Sequence, residues 1–450
     1  MVKVRLELEN KVALENKGSF LKFYFAIGLF SFGYNFITTA EYVHFRQIMV
    51  SIGFDYNDMR ISILLGCALA SLCIGAILGG IFNDAMRTKF GQRAPAIFLG
   101  SIITSILFLI IPIVTNFLSN FTLIFVLLLV MFIVSHIALG FAYSPWLALI
   151  VDLFPKNKRF NASIAINILS AGGAAIAVIL FSALVDNNLS WIIWLIAGGI
   201  FGLSAIITTI IIPKNNPEQT TKMNISDIWK IPKTIWTLGG KEWILLLFIG
   251  GLWSFSSHLV EASVIDSLVI RFGVTDTEAS LAANILMGVF IVILLIPIIW
   301  SSNRIGKIQS SIITCGIYGL FCLLLAIMPK FEWIYFIVLF GGIGNILLST
   351  LQIVLPVNRV PKGKEASFLG VFFAFSTIMK PIATLLQGFL IKRNEYNKVI
   401  TTFGGYPWIF LIAGIIVILT IIPLIFMINR KIKQKMNQIK IRKEKEEITL

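Results

Sequence analysis

The chain has 450 residues, of which 57% are hydrophobic and only 13% charged. A soluble domain carries about twice that charged fraction, so a globule in water is excluded and lipid is the expected solvent. The formal net charge of +15 would suit a nucleic-acid partner, but its placement along the chain speaks for a membrane topology instead.

The first residues, 1–19, read as a charged cytoplasmic tail without the early apolar core of a signal peptide. Twelve apolar segments follow, each near the ~20 residues that a hydrocarbon core of about 30 Å requires. They fall at 20–45, 61–82, 95–115, 121–148, 160–185, 190–212, 243–268, 279–300, 308–328, 333–355, 367–391 and 406–428. Residues 213–242 form a polar cytoplasmic linker, and 429–450 a basic cytoplasmic tail that also meets anionic headgroups. The expected organisation is therefore all-α, with one six-span bundle over 20–212 and a second over 243–428. With both termini cytoplasmic, 29 of the 37 Lys and Arg residues fall inside, 7 outside, and Lys380 remains within a span. That asymmetry fixes the orientation of a multi-pass protein, here expected in the cell membrane, with the bilayer as partner, no nucleic acid, and a monomeric state. Trp191, Trp333 and Trp408 open spans outside, and Trp243 and Trp300 lie at inner ends, as an aromatic belt would place them. The four cysteines sit in apolar runs without metal-type spacing, so no metal or other cofactor is expected.

The two halves echo each other. GLFSF at position 28 returns as GLWSF at 251, and each copy leads to a glutamate 12 residues before a glycine: Glu41 before Gly53, Glu261 before Gly273. FPKNKRFNAS after the fourth span matches VPKGKEASF after the tenth, and Asp84…Arg87…Gly91…Arg93 after the second matches the Asn303-to-Lys307 stretch after the eighth. Six spans plus six in parallel repeat is an architecture that secondary transporters use, with the site between repeats near the midplane.

The most specific stretch is NDAMRTKFGQRAPAIFLG at 83–100. It resembles the loop between the second and third helices of sugar transporters in the major facilitator superfamily, with Asp84, Arg87, Thr88, Lys89, Phe90, Gly91, Arg93, Pro95 and Gly100 in matching positions. AYSPWLALIVDLFPKNKR at 142–159 resembles the signature between the fourth and fifth helices of the same group, including Asp152, with Arg159 closing the quoted stretch. Lys380 stands where the glycoside–pentoside–hexuronide:cation symporters carry a lysine. The resemblance implies the twelve-helix major facilitator fold, alternating access, and a gating role for Asp84, Arg87, Lys89, Gly91, Arg93, Asp152 and Arg159. In physical terms, a carboxylate at an inner helix end facing guanidinium groups makes charge-assisted hydrogen bonds that must break when the inner mouth opens. The alternative is that these cations only hold topology.

An ionisable group inside a span is costly and a functional candidate by default. On straight helices of 1.5 Å rise, Glu41 and Glu261 fall roughly 27 Å from the inner ends, near the outer mouth, with His44 and Asp266 nearer water. Lys380 lies about 20 Å in, too deep to snorkel, with His258 and Asn35 at similar depth and no acid at its depth in the second, fourth, fifth, eighth or tenth span. Its compensation is then a neutral form favoured by desolvation, a reach to Glu41 or Glu261 in one conformational state, or an anionic substrate. His136 in the fourth span reads either as a ligand or as a histidine bonded to a backbone carbonyl. A pyranose needs an aromatic plate and polar rim partners, which Trp253, Asn35, His258, Asn345 and Gln352 could supply together with Lys380. The alternative for each is polar glue between helices. Glu41, Glu261 and Lys380 are the coupling candidates. The second and fourth spans lack the carboxylates that the symporter branch places there, so a Na+ site is disfavoured and H+ is the favoured ion.

The function these features predict is secondary active transport of a small polar solute, a sugar or glycoside first, coupled to a proton or cation. An organic anion, a sugar acid, a drug-like solute or an uncoupled facilitator is the alternative. A non-transporting receptor and a membrane-embedded enzyme are remote: no H-E-x-x-H, G-x-S-x-G or P-loop occurs.

Overall fold

The computed structural model describes residues 17–55, 58–86, 88–213, 237, 240–285, 304–361, 363–392 and 405–430. The N-terminal tail, Arg87, most of the linker, most of the eighth span with Trp300, Asn303, and the C-terminal tail lie outside the described residues.

The described chain is all-helical, and its long apolar segments become long helices. They are α1 Lys17–Tyr42, α2 Phe45–Ser51, α3 Met59–Ala85, α4 Ala94–Phe117, α5 Phe121–Leu153, α6 Arg159–Asp186 and α7 Trp191–Ile211. After the linker come α8 Gly240–Glu261, α9 Val264–Phe272 and the short α10 Asp276–Ser280, which opens the eighth span. Then follow α11 Lys307–Ile327, α12 Ile334–Val357, α13 Glu365–Thr377, α14 Met379–Lys392 and α15 Gly405–Leu419. Four expected spans are interrupted helices: the first runs from α1 into α2, the seventh from α8 into α9, the eleventh from α13 into α14, and the twelfth from α15 past Thr420 into a helical stretch at 421–430. Local chemistry sets several starts. Asp58 caps α3 through the Arg60 amide at 2.8 Å, and Asn120 caps α5 through Leu123 at 3.1 Å. Pro95 occupies the first turn of α4, where its missing N–H costs nothing.

Contacts divide the chain into two compact units: Met1–Ile231 with Val357–Ala374, and Pro232–Pro356 with Phe375–Leu450. Inside the first, α3 packs on α5, α1 on α6 and α7, and α4 on α5 and α7. The α3–α5 crossing is made by glycines. A Cβ on Gly75 would collide with the Ile137 carbonyl, and one on Gly140 with the Leu72 carbonyl. Small residues let membrane helices touch along their backbones, where dispersion contacts replace the missing hydrophobic drive. Hydroxyl and indole donors to neighbouring helix carbonyls join the same unit: Thr104 to Ser135, Ser144 to Ala76, Thr208 to Ala26, Trp146 to Ile27. Inside the second unit, α8 packs on α14 and α15, and α11 on α15. Trp243 is buried in α8, so it serves packing and not an aromatic belt, whereas Trp191 and Trp333 are exposed.

Candidate functional site

The repeated glutamates stand at helix breaks. α1 ends at Tyr42, where the Val43 and His44 amides both turn to the Thr39 carbonyl, and the chain resumes as α2. α8 ends at Glu261, and Ala262 and Ser263 separate it from α9. Both second pieces close on a glycine with positive φ, +109° at Gly53 and +70° at Gly273, a conformation that glycine adopts without a Cβ clash. The echo in the sequence is thus a bent first helix, with an acid at the bend and a left-handed stop behind it.

The bend changes the surroundings of both acids. Glu41 is 1% exposed and His44 is fully buried, so both are enclosed by protein rather than open to water. Glu41 Oε2 lies 3.2 Å from Nε2 of His136, which is 0% exposed. His136 stands near the middle of the 33-residue α5, so the pair sits deep in the first unit. His136 also meets a backbone carbonyl, with Nδ1 2.9 Å from Phe132 O, the contact that the carbonyl reading of this histidine expects. His44 contacts Gln47 at 2.8 Å and Ser182 at 3.4 Å.

In the second unit Lys380 stands near Glu261, one of the two acids that the sequence offers it. The eleventh span breaks at Ile378, and Lys380 is the second residue of α14. Its ammonium interacts electrostatically with Glu261 and His258. His258 Nε2 lies 2.8 Å from the Thr384 hydroxyl, which spends its own hydrogen on the Lys380 carbonyl at 3.0 Å. His258 is therefore the donor in that contact. Gln387 fills the bend from α14, donating to the Ala262 carbonyl at 2.6 Å and to Ser263 at 3.0 Å.

The proposed sugar contacts divide. Trp253 is 1% exposed, and its indole donates to Thr420 at 3.0 Å; it is a core residue here, with no free face. Gln352 donates to Ser254 at 2.8 Å, and Asn35 to the Ser31 carbonyl and to Ser170. Both are half-buried and join packed helices. Asn345 is half-buried on α12, its carbonyl accepting from Ser349. A half-buried aromatic group in the first unit went unnoticed in the sequence: Tyr143 stacks on Phe373 at 3.9 Å and lies 5.1 Å from Tyr34.

The motif loop builds a charge lock. Gly91, with φ +92°, turns the loop, and Thr88 closes it by donating to the Gly91 carbonyl at 2.7 Å. Arg93 is aimed inward at Asp84 (2.8 Å), at Asp152 (2.7 Å) and at Asn83, with Glu365 3.8 Å away. Burial alone would lower the pKa of Arg93, but the Asp152 and Asp84 carboxylates outweigh it and raise it, so the guanidinium is a permanent charge. The other side of Asp84 faces the start of α13. It accepts from the Ala366 amide at 3.3 Å, the Ser367 amide at 2.7 Å and the Ser367 hydroxyl at 2.7 Å. Asp84 thus supplies, from another part of the chain, the N-terminal cap and the negative charge that the dipole of α13 favours. Arg159 works at helix C-termini, donating to the carbonyls of Val151, Phe154 and Val357, the last residue of α12. Lys89 is exposed and lies over the Phe90 ring. The guanidinium partner that the sequence assigns to Asp84 is present, yet most of its hydrogen bonds come from backbone and serine at a helix start.

Long apolar helices, acids at helix bends and a charge lock at one end are the construction of a membrane transporter. The chain belongs to the Major Facilitator Superfamily, whose model matches residues 19–384. No curated protein matches it at a significant level. Among solved structures, it is similar to the human organic anion transporter MFSD10 (TETRAN), with TM-score 0.66, 12% identity, and coverage of 90% of this chain and 98% of that one. It is similar to a POT family transporter in complex with a thioalcohol conjugated peptide, with TM-score 0.63, 16% identity, and coverage of 91% and 96%. A POT family transporter in complex with 5-aminolevulinic acid matches with TM-score 0.62, 16% identity, and coverage of 90% and 95%. At these identities the likeness is one of fold.

Proposed function

We propose that this protein is a secondary active transporter that moves a small polar solute across the membrane by alternating access, with a proton as the coupling ion. The observation that carries the proposal is the lock at Asp84. A carboxylate holding the first turn of α13, itself held by Arg93, is a contact set that forms or breaks as a unit. Sugars and glycosides lead the substrate classes. The loop motif resembles the sugar-transporter branch, and Tyr34, Tyr143 and Phe373 supply half-buried aromatic faces of the kind a pyranose stacks on. A second reading, an organic anion such as a sugar acid, is favoured by the Lys380 ammonium beside a helix break. The two six-helix bundles expected over 20–212 and 243–428 are proposed as the moving bodies.

The test is uptake into proteoliposomes of a disaccharide, a hexuronate and 5-aminolevulinate, with and without an inside-alkaline pH gradient. Flux of the disaccharide above protein-free vesicles, accelerated by the gradient, is the expected result. Flux of the hexuronate without the disaccharide selects the second reading, and the zwitterionic 5-aminolevulinate serves as the control without net charge. If no solute crosses faster than in empty vesicles, the transport proposal fails.

A further inference from the structure

Glu41 and His136 share no contact with the lock residues named above and belong to the first unit, as Lys380 does not. The imidazole has two nitrogens, and the contacts fix what each carries. Nδ1 faces the Phe132 carbonyl at 2.9 Å, an atom that only accepts. Ser135 Oγ is 3.3 Å from the same nitrogen, but its hydrogen goes to that same carbonyl at 3.0 Å. Nδ1 therefore bears a hydrogen. Nε2 then faces Glu41 Oε2 at 3.2 Å, and this contact is attractive only if one more hydrogen lies between them. Either an imidazolium donates to a carboxylate, or a carboxylic acid donates to a neutral imidazole. The two forms hold the same number of protons and the same zero net charge. Without that proton, a lone pair and a carboxylate would face each other in a setting closed to water, a costly arrangement. The second oxygen, Glu41 Oε1, is buried and has no hydrogen-bond partner among the described residues.

The titratable groups around the pair are few. Among the described residues no group of three His, Cys, Asp or Glu could hold a metal ion. Of the helices packed on α1 and α5, α4 and α7 bring no ionisable side chain. The link after α1 brings His44, bonded to Gln47 and Ser182, and α2 brings Arg46, which donates to Ser62 at 3.1 Å. α6 ends in Asp186, which interacts with His44. α3 carries Cys67 and Cys73 within its span, the latter donating to the Leu69 carbonyl, with Arg60 and Asp84 at its ends. α1 and α5 themselves carry Tyr34, Tyr42 and Tyr143, with Lys17, Lys22 and Tyr24 in the first turns of α1 and Asp152 in the last turn of α5.

We propose that Glu41 and His136 together form a one-proton site that bridges α1 and α5, and that this is the coupling proton of the transport cycle. The 3.2 Å contact is the geometry of the loaded site. On release, the proton leaves to water, and Glu41 carboxylate and neutral His136 remain as two acceptors that repel. The bridge then opens at the α1–α2 bend, where Glu41 already stands beside broken helix. The coupling role rests on the transport reading; the shared proton does not.

The chain has three histidines, so ring-15N-histidine labelling of the full protein in liposomes gives three resolvable side chains, with His136→Asn assigning the relevant one. Solid-state NMR from pH 5 to 9 is expected to show His136 protonated at Nδ1 and sharing a proton at Nε2. In Glu41→Gln, Nε2 is expected to move to the unprotonated position while His44 and His258 stay unchanged. An unprotonated Nε2 in the wild type at every pH overturns the proposal, as does an Nε2 signal indifferent to Glu41→Gln. If Glu41→Gln does not reach the membrane, Glu41→Asp replaces it: a shorter acid should shift the Nε2 signal, and no shift counts against the pair. For any panel solute that moves, Glu41→Gln should keep exchange at equal pH and lose accumulation under a pH gradient; retained accumulation removes the coupling role. A shared proton without flux of any solute would sink transport and leave the proton site standing. Flux with an unprotonated Nε2 would do the reverse.

Discussion

Asp84→Asn is the sharpest probe of the lock, because the substitution keeps shape and removes charge. Asp84 receives four hydrogen bonds, one from Arg93 and three from the start of α13. An asparagine has one acceptor oxygen. If that oxygen keeps Ser367, the new NH2 group faces the Arg93 guanidinium, donor against donor. Breaking a buried ion pair by removing one partner costs about 3–5 kcal/mol. Here the loss is smaller, because Arg93 keeps Asp152 at 2.7 Å. A charged hydrogen bond contributes about 1.5–3 kcal/mol, which puts the expected loss near ~2–3 kcal/mol. That corresponds to roughly 30- to 150-fold in the balance between locked and unlocked forms. The protein should still insert, since no span changes its apolar length, but it should melt earlier and transport more slowly. Cys73, Cys315 and Cys322 are buried free thiols, so a thiol-reactive dye reports unfolding directly. Ser367→Ala removes one of the same bonds, for about 1 kcal/mol. Because the two residues touch, the double variant should cost less than the sum of the singles. A double variant that is strictly additive, or an Asp84→Asn protein that melts and transports as wild type, would refute the lock.

Gly140→Val drives a branched side chain into the α3 backbone and should destabilise by several kcal/mol, read in the same thiol melt as early labelling. Arg159→Ala strips three carbonyls of their donor and should cost about 1–3 kcal/mol. Arg159→Lys should restore little in the same melt, because an ammonium does not reproduce the fork of a guanidinium. Trp253→Phe removes the bond to Thr420, for about 1 kcal/mol, and should leave solute affinity in the uptake assay unchanged; a large loss of affinity would return Trp253 to the substrate site. Lys380→Gln should abolish concentrative uptake while sparing downhill exchange if the lysine serves coupling, and should abolish binding of the hexuronate alone if it serves anion recognition. Wild-type rate, affinity and accumulation ratio would make it structural.

The spans, the repeat and the lock loop were legible because each leaves a one-dimensional trace: apolar length, an echoed pentapeptide, a charged loop at fixed spacing. The helix bends left a trace too, in the glycine that follows each glutamate by 12 residues, but its meaning depends on backbone φ. Depth counted along one helix says nothing of what a neighbouring helix brings to it, so the burial of Glu41 and His44 had no trace in the sequence. The Glu41–His136 contact joins residues 95 positions apart, and no periodicity connects them. Asp84 was legible as half of an ion pair. Its larger set of partners is backbone amide, which every residue has and no sequence pattern marks. Glu365 could have been found: in the echo of FPKNKR by VPKGKE it occupies the slot of Arg159, so an acid replaces a base at the matching helix start.

The repeat also shows which part of the chemistry is duplicated and which is not. Both copies retain the bend and the acid, Glu41 and Glu261, but the bases come from different places. His136 belongs to the fourth span. Lys380 belongs to the eleventh, whose counterpart in the first half is the fifth, not the fourth. A bend with an acid is a local property of one helix, so it travels with the repeat; the base that answers it depends on a neighbouring helix and is free to diverge. The two bases differ in kind. An imidazole gives and takes a proton near neutrality, whereas an ammonium behaves as a fixed charge unless strongly desolvated. On the readings proposed above, the first unit holds the exchangeable proton, while in the second the Lys380 ammonium interacts with Glu261 and His258 beside a break in the eleventh span and is the group that an organic anion would meet.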